Sequence, residues 1–168
     1  MNIRPYIPVT DFGKIKNWIE DERTHAMWCA GRFAYPLERD NFEETLVSMT
    51  GDTPFVAITE DGKEAGFFCL AYDSITKEAM LKFIVVNPEL RGKGIAGQML
   101  DSAVKYAFNS IGAEAVHLNV FTGNIRAKKC YLKAGFIERN TTENAFSYKD
   151  ESWGRCNMII RLPDCRDI

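Results

Sequence analysis

The sequence predicts a mixed α/β domain in which helices flank a mostly antiparallel central sheet. Three short apolar segments between residues 55 and 86, separated by polar links, indicate a strand meander. A long helical pattern over residues 94–111 then leads into a further strand. A chain of 168 residues is long enough to bury one hydrophobic core. We therefore expect a single domain over residues 1–168.

The first part of the chain predicts one strand followed by two helices. Residues 3–7 suit the first strand, and Thr10 or Asp11 is a suitable N-cap for the first helix. Residues 28–35 are aromatic and predict irregular structure. Pro36 suits the first turn of the second helix.

The meander that follows has three predicted strands, at residues 55–59, 66–72 and 80–86. The links between them are short and polar, so successive strands are expected to run antiparallel. Pro88 then ends the third strand because proline cannot donate a ladder hydrogen bond.

The long helix and the strand after it form a crossover unit. Ile95 and Met99 begin an apolar series at a spacing of four residues, and Gly112 is a natural stop for this helix. The crossover places the next strand, residues 116–121, parallel to the preceding one.

The last part of the chain predicts a short helix capped by Asn124 and two final strands at residues 136–139 and 156–162. We expect the polar residues 140–152 between them to form an exposed loop. The predicted order is β-α-α-β-β-β-α-β-α-β-β, with helices and strands covering each other around one sheet.

Composition and charge exclude several classes of function. The net charge of −2 argues against general nucleic-acid binding, which needs a surplus of Lys and Arg. No segment approaches the roughly 18 uninterrupted apolar residues of a membrane span, and no signal pattern is present. Five scattered cysteines without a CxxC pair favour reduced thiols and a cytoplasmic location. With two histidines in the chain, we expect no multi-histidine metal site.

A glycine-rich turn joins the third meander strand to the long helix. The first N–H groups of a helix lack internal partners, and the helix dipole adds partial positive charge there. Gly92, Gly94 and Gly97 allow a ligand to approach this backbone, and Arg91 and Lys93 add full charges. The sequence therefore predicts a pyrophosphate site. The alternative is a helix start whose glycines only permit packing against the sheet.

The three glycines also match the G-x-G-x-x-G pattern of dinucleotide-binding domains. That pattern requires an acidic residue at the end of the following strand. Here the strand ends at Phe121 and Thr122, and Glu114 precedes it. A Walker-type loop does not fit either, because no G-K-S/T occurs. A nucleotide-dependent oxidoreductase therefore stays a disfavoured alternative.

The same turn resembles the acetyl-CoA signature of the GNAT family of N-acetyltransferases. That signature reads Q/R-x-x-G-x-G/A after a strand, and residues 91–96 read Arg-Gly-Lys-Gly-Ile-Ala. A second signature of the family, N-x-x-A-x-x-x-Y-x-x-x-G-F, is matched in full from Asn124 to Phe136. One helix and one strand separate the two signatures, as in that fold. The resemblance covers nearly the whole chain.

The resemblance implies specific roles for residues near both signatures. The end of the third meander strand offers backbone groups to the pantetheine arm and the thioester, and the turn wraps the pyrophosphate. Tyr131 is expected beside the sulfur as the catalytic acid that protonates the leaving thiolate, a core tyrosine being the alternative. The implied acetyl-CoA-binding residues are Ile84, Val85, Val86, Arg91, Gly92, Lys93, Gly94, Ile95, Ala96, Gly97, Asn124, Ala127 and Tyr131.

The resemblance leaves the general base unassigned. Some relatives carry Glu at positions that here hold Met80 and Asn119, neither of which is a base. Glu78 shares a strand face with Met80, but a solvated surface carboxylate is the simpler explanation. A water chain ordered by Asn119 would also serve.

Four aromatic residues occupy the region where this family often builds its acceptor pocket. They follow the first predicted helix, and core packing explains them equally well. They are His25, Trp28, Phe33 and Tyr35.

We therefore expect acetyl transfer from acetyl-CoA to a primary amine by direct attack on the thioester. A protein N-terminus, a lysine, a polyamine, an amino acid and an aminoglycoside remain open as acceptors. The acyl-chain length and the oligomeric state, including a homodimer, also remain open. A coenzyme A-binding sensor without turnover is the main alternative, because the base is missing. We expect no nucleic-acid, membrane or metal partner.

Overall fold

The chain folds around one seven-stranded sheet, which a computed structural model describes together with its helices for residues 1–163. The strand order across the sheet is β1-β2-β3-β4-β5-β7-β6. All neighbouring strands pair antiparallel except β4 and β5, which pair parallel. The strands are β1 (Asn2–Pro5), β2 (Asp52–Ile58), β3 (Glu64–Asp73), β4 (Glu78–Val86), β5 (Ala115–Phe121), β6 (Ile137–Tyr148) and β7 (Glu151–Arg161).

Five α-helices cover the sheet in the described part of the chain. None of them is long and apolar enough to cross a membrane. A 3₁₀ turn at Pro88–Leu90 precedes the fourth helix, and a π-helical turn at Ala107–Ile111 extends it. The helices are α1 (Pro8–Trp18), α2 (Glu22–Cys29), α3 (Arg39–Ser48), α4 (Ile95–Tyr106) and α5 (Ile125–Lys133).

The predicted mixed α/β fold is confirmed, and the structure adds one helix to the predicted order. Helix α2 includes Trp28 and Cys29, so the prediction of irregular structure over residues 28–35 was wrong for these first two residues. Asp21 caps this helix by accepting a hydrogen bond from the Thr24 N–H at 2.7 Å. Ala30 ends it in the left-handed conformation at φ 49°. Eight residues are too few to give a clear helical period in sequence.

The N-cap expected at Thr10 or Asp11 was wrong, because α1 begins earlier, at Pro8. The buried Asp11 carboxylate reaches back to accept a hydrogen bond from the Ile7 N–H at 2.7 Å. It also pairs with both terminal nitrogens of Arg4, at 2.7 and 2.8 Å. The side chain of Asp11 therefore fixes the helix start from inside its first turn.

The second predicted helix also starts elsewhere. Helix α3 begins at Arg39, three residues after Pro36, which lies in the preceding loop. Helix α4 ends at Tyr106, and the π-helical turn carries the chain to Gly112, whose φ of 81° confirms the predicted stop.

The exposed loop expected at residues 140–152 was wrong, because β6 and β7 form a long hairpin there. Its residues are polar because one side of each strand faces solvent. Phe146 and Trp153 anchor the other side, and their rings pack at 5.6 Å between centroids. Both rings also contact Phe121 of β5. Two widely spaced aromatics in a polar run do not show the alternation that predicts strands.

The two faces of the sheet carry separate apolar clusters. Helix α4 packs on one face, where Met99 and Leu100 contact buried residues of β3, β4 and β5. Helices α1 and α3 pack on the other face through Phe12, Ile15 and Phe42. Both faces of the sheet are therefore covered by buried apolar contacts.

Gly66 of β3 lies where Met99 of α4 packs closely on the sheet. A Cβ at this position would stand 2.5 Å from the Met99 sulfur and 2.6 Å from the Val85 carbonyl oxygen. The second contact is with backbone and cannot be relieved by rotating a side chain. The absence of a side chain at Gly66 therefore allows α4 to pack close to β3 and β4, the strand that precedes the glycine-rich turn.

We predict that Gly66→Ala destabilises the protein by about 1–3 kcal/mol, the usual effect of overpacking. Gly13→Ala is the matched control, because a Cβ at Gly13 meets no atom within 4 Å and alanine favours the α1 helix. Urea unfolding followed by circular dichroism measures both changes. Equal free energies of unfolding for the two variants would contradict the close approach at Gly66.

Candidate active site

Strands β4 and β5 separate partway along their length and open a wedge in the sheet. Their parallel pairing runs from Glu78 opposite Ala115 to Leu81 opposite Leu118 and then stops. The chain continues in extended form on both sides, to Val86 on β4. The backbone groups that face the wedge are therefore free to bind a ligand.

A bulge in β4 helps to form this wedge. Val85 and Lys82 of β4 pair with Phe67 and Cys69 of β3. The single β3 residue between these pairs therefore faces two residues of β4, which defines a bulge. Phe83 sits in the bulge with a positive φ of 52°, which is strained for a bulky residue. The Trp28 indole N–H donates to the Phe83 carbonyl oxygen at 2.8 Å. Trp28 in turn stacks on Phe33 at 5.2 Å, so helix α2 holds the bulge in place.

A cavity of about 360 Å³ fills the wedge and extends beneath α2. Just over half of the implied acetyl-CoA-binding residues line it, together with the two positions where relatives carry a base. These residues are Ile84, Val85, Val86, Arg91, Asn124, Ala127 and Tyr131, with Met80 and Asn119. The remaining implied residues, 92–97, form the turn and the start of α4.

The N–H of Val86 points into the wedge. The N–H of Asn87, the next residue, donates to the Ala65 carbonyl oxygen at 2.8 Å on the β3 side. Because successive N–H groups of an extended chain point in opposite directions, the Val86 N–H points away from β3. Val86 also lines the cavity. This donor is placed where an oxyanion could be stabilised.

The glycine-rich turn leaves open space for a phosphate group. Gly92 and Gly94 adopt left-handed φ values of 77° and 73°, and Gly94 is the N-cap of α4. A Cβ at Gly92, Gly94 or Gly97 would meet no atom within 4 Å. These glycines therefore do not serve packing inside the protein, which argues against the packing explanation for them. Arg91 and the exposed Lys93 flank the turn, so the residues present fit a pyrophosphate.

Asn124 caps helix α5, as predicted. Its side-chain oxygen accepts a hydrogen bond from the Ala127 N–H at 3.3 Å. This bond orients the amide and leaves its Nδ2 without a partner among the described residues. Because Asn124 lines the cavity, that N–H₂ group is available to a ligand carbonyl there.

Tyr131 lies where α5 meets the cavity. The residue is 8% exposed, and its ring packs edge-on against Phe136 at 6.3 Å. Burial raises the pKa of its hydroxyl above the ordinary value, and the neighbouring Cys130 adds to this. The hydroxyl is therefore protonated at neutral pH and can act as a proton donor.

Glu78 is engaged in an ion pair away from the cavity. Arg139 donates to both of its carboxylate oxygens at 2.9 Å, and His117 lies 3.8 Å from one of them. Burial and the nearby Arg139 guanidinium lower the pKa of His117, although Glu78 opposes this. Glu78 does not line the cavity. This placement supports its reading as a structural carboxylate.

The four aromatic residues considered for the acceptor pocket divide between two roles. Trp28 lines the cavity. Phe33 is buried in the apolar cluster under α1 and α3, and His25 is buried against Tyr35 at 5.1 Å. Burial lowers the pKa of His25, so its ring is neutral near pH 7. Core packing therefore accounts for His25 and Phe33.

The structure adds cavity residues that the sequence did not indicate. Met27 of α2, Lys82 of β4 and Arg155 of β7 all line the cavity. Met27 and Arg155 lie in segments for which helix and strand were not predicted. Lys82 lies two residues beyond Met80 on β4 and was detectable from that spacing. Among residues 1–163, no group of three or more side chains is arranged to bind a metal ion.

Comparison with known proteins places this geometry in a family. The family model described as Acetyltransferase (GNAT) family matches residues 14–136. The aminoglycoside N(6')-acetyltransferase type 1 of Klebsiella pneumoniae is 24% identical over 78% of this chain and 71% of its own length. Streptothricin acetyltransferase of Streptomyces lavendulae is 34% identical over 49% of this chain and 43% of its own length. Spermidine N(1)-acetyltransferase of Vibrio cholerae is 33% identical, but the match spans 32% of its length.

Solved structures show the same fold. The spermidine N-acetyltransferase from Vibrio cholerae, in complex with CoA and spermine, aligns with a TM-score of 0.77 at 20% identity. The alignment covers 95% of this chain and 94% of that chain. The family model covers the glycine-rich turn, the wedge and Tyr131, and it ends at Phe136, the last residue of the second signature. The chain therefore belongs to the acetyltransferase (GNAT) family, as its two signatures predicted.

Proposed function

We propose that this protein transfers the acetyl group of acetyl-CoA to a primary amine. The observation that carries this proposal is the wedge between β4 and β5, which opens beside a turn with open space at three glycines. The turn suits the pyrophosphate, and the free strand edge of β4 suits the pantetheine amides. Family membership and the named amine acetyltransferases among its relatives support the same reaction.

The reaction joins the amine nitrogen to the acetyl carbon and breaks the carbon–sulfur bond. Negative charge develops on the carbonyl oxygen during attack, and the Val86 N–H is the donor that stabilises it. The sulfur departs with the bonding electrons and takes a proton from the Tyr131 hydroxyl. Val86 and Tyr131 line the same cavity, which supports their acting on one thioester.

In this proposal the attacking amine loses its proton to water, and water returns a proton to the Tyr131 phenolate, which restores the starting state. Within the part of the chain that the structure describes, no carboxylate or imidazole lines the cavity. Asn119, at one of the positions where relatives carry a base, is the polar group placed to order such a water. The rate of transfer therefore depends on the fraction of the acceptor amine that is already unprotonated.

A coenzyme A-binding sensor is the second candidate, favoured by the same lack of a base. Release of free coenzyme A that depends on an added amine separates the enzyme from the sensor. We also keep a cytoplasmic location as a proposal, supported by four free cysteines in the described chain, with Cys165 outside it. A homodimer and a longer acyl donor stay proposals as well.

The first test is coenzyme selectivity. Acetyl-CoA at about 100 times its dissociation constant is expected to stabilise the fold by about 2.7 kcal/mol. NAD at the same concentration is expected to have no effect, because the strand after α4 lacks the acid that binds its ribose. Thermal unfolding with each ligand measures the difference. Stabilisation by NAD and none by acetyl-CoA would refute the proposal.

The second test concerns the glycine-rich turn. Gly94→Glu places bulk and negative charge where the pyrophosphate is expected, so acetyl-CoA affinity should fall at least about 100-fold, as expected for two lost charge-assisted hydrogen bonds. Gly62→Glu is the matched control, since Gly62 also has a positive φ, of 84°, and open space around it. Titration calorimetry measures affinity, and circular dichroism checks folding. Equal affinities for both folded variants would remove the turn from the binding site.

The third test is chemistry at Tyr131. Tyr131→Phe keeps the ring that packs on Phe136 and removes only the hydroxyl. Acetyl-CoA affinity and stability should change little, while turnover falls by about 10²-fold, the low end for losing a positioned acid. Single-turnover acetyl transfer measures the chemical step. A wild-type rate in that assay would reduce Tyr131 to a packing residue.

A further inference from the structure

The charged side chains that line the cavity are all basic. In the described chain, the charged residues that line the cavity are Lys82, Arg91 and Arg155, with no Asp or Glu among them. A polyamine or an aminoglycoside carries several ammonium groups, and a site for it needs carboxylates. The lining therefore opposes a polycation and suits an acceptor with a negative group.

Of the three charges, Arg155 is the one left for the acceptor. Arg91 belongs to the glycine-rich turn, and its guanidinium lies 4.0 Å from the Glu20 carboxylate. Lys82 is neutralised by Asp52, whose two oxygens accept from it at 3.1 and 3.2 Å. Arg155 makes no ion pair or side-chain hydrogen bond with any described residue.

The carboxylates at the junction of α2 and the β6–β7 hairpin have other partners. Glu151 accepts from Arg23 at 3.0 Å, and Glu22 pairs with Lys149 at 3.3 Å. Asp21 accepts the capping bond of α2. None of these three lines the cavity, so none neutralises Arg155 there.

Asn119 adds a second donor beside Arg155. The Oδ1 of Asn157 accepts from the Arg139 Nε at 2.7 Å, so the Nδ2 of Asn157 is the group that faces β5. That Nδ2 donates to the Asn119 Oδ1 at 2.9 Å. The Nδ2 of Asn119 is left for the cavity. Because Asn119 pairs with Asn157 and Phe121 with Arg155, the two donors are diagonal neighbours on one sheet face, about 7–8 Å apart between Cα atoms.

We propose that the acceptor is a small amine that also carries a carboxylate, an amino acid being the simplest, and that Arg155 and Asn119 bind that carboxylate. This inference rests on the proposed acetyl transfer and names its substrate class. The acceptor's carboxylate accepts hydrogen bonds from the Arg155 guanidinium and the Asn119 amide. Its amine nitrogen then faces the thioester beside Val86. A cavity of about 360 Å³ that also holds the thioester end of the coenzyme leaves room for a small acceptor.

The experiment compares matched acceptors. Coenzyme A release is measured with common amino acids, their α-carboxamides and spermidine, for the wild type, Arg155→Gln and Arg161→Gln. Arg161 is the control because it is exposed near the far end of the same strand and does not line the cavity. The wild type and Arg161→Gln should prefer carboxylates over carboxamides in kcat/KM. Arg155→Gln should lose about 10- to 100-fold with carboxylates and little with carboxamides, as expected for a charge-assisted bond.

A second measurement does not depend on turnover. Binding of N-acetyl amino acids to the coenzyme A-loaded protein should weaken in Arg155→Gln and stay unchanged in Arg161→Gln. If no amine releases coenzyme A but this binding difference appears, the proposed reaction fails and the carboxylate site stands. If spermidine is the best acceptor, or Arg155→Gln weakens carboxylates and carboxamides equally, the carboxylate proposal is overturned while acetyl transfer stands.

Discussion

The hydrogen bond from Trp28 to the Phe83 carbonyl is the contact on which the site depends. It comes from α2 and holds the β4 bulge, where a phenylalanine keeps a left-handed φ of 52°. Strain of about 1–3 kcal/mol at such a residue persists only where surrounding contacts enforce it. The bulge coincides with the point where β4 and β5 stop pairing. One helix that the sequence did not reveal therefore maintains the gap in which the thioester is proposed to lie.

The sequence predicted the coenzyme half of the molecule far better than the acceptor half. Gly92, Gly94 and Asn124 could be recognised because a helix N-terminus and a cap impose fixed residue types at fixed spacing. Arg155 could not be recognised, because its strand is paired through backbone groups that any polar sequence can supply. Its position beside the cavity depends on a pairing with β5 that lies far away in sequence.

The relatives include proteins named for polyamine and aminoglycoside acetylation, whereas the cavity of this chain is lined by Lys82, Arg91 and Arg155 and by no carboxylate among the described residues. A shared fold does not by itself specify the amine acceptor. In this chain a network from Glu78 through Arg139 and Asn157 sets the orientation of the Asn119 amide. The Glu78 carboxylate is therefore part of the support for Asn119 through its pairing with Arg139.

The ion pairs between α2 and the β6–β7 hairpin have a consequence for how such a protein diverges. Arg23 with Glu151 and Lys149 with Glu22 are all more than 40% exposed, and pairs of this kind contribute about 0–1 kcal/mol. Helix α4, which follows the glycine-rich turn, packs instead through the buried Met99 and Leu100. Replacement of these exposed charged residues at the α2–hairpin junction therefore has little effect on folding. A lineage can exchange one acceptor for another at this junction while its use of acetyl-CoA is inherited unchanged.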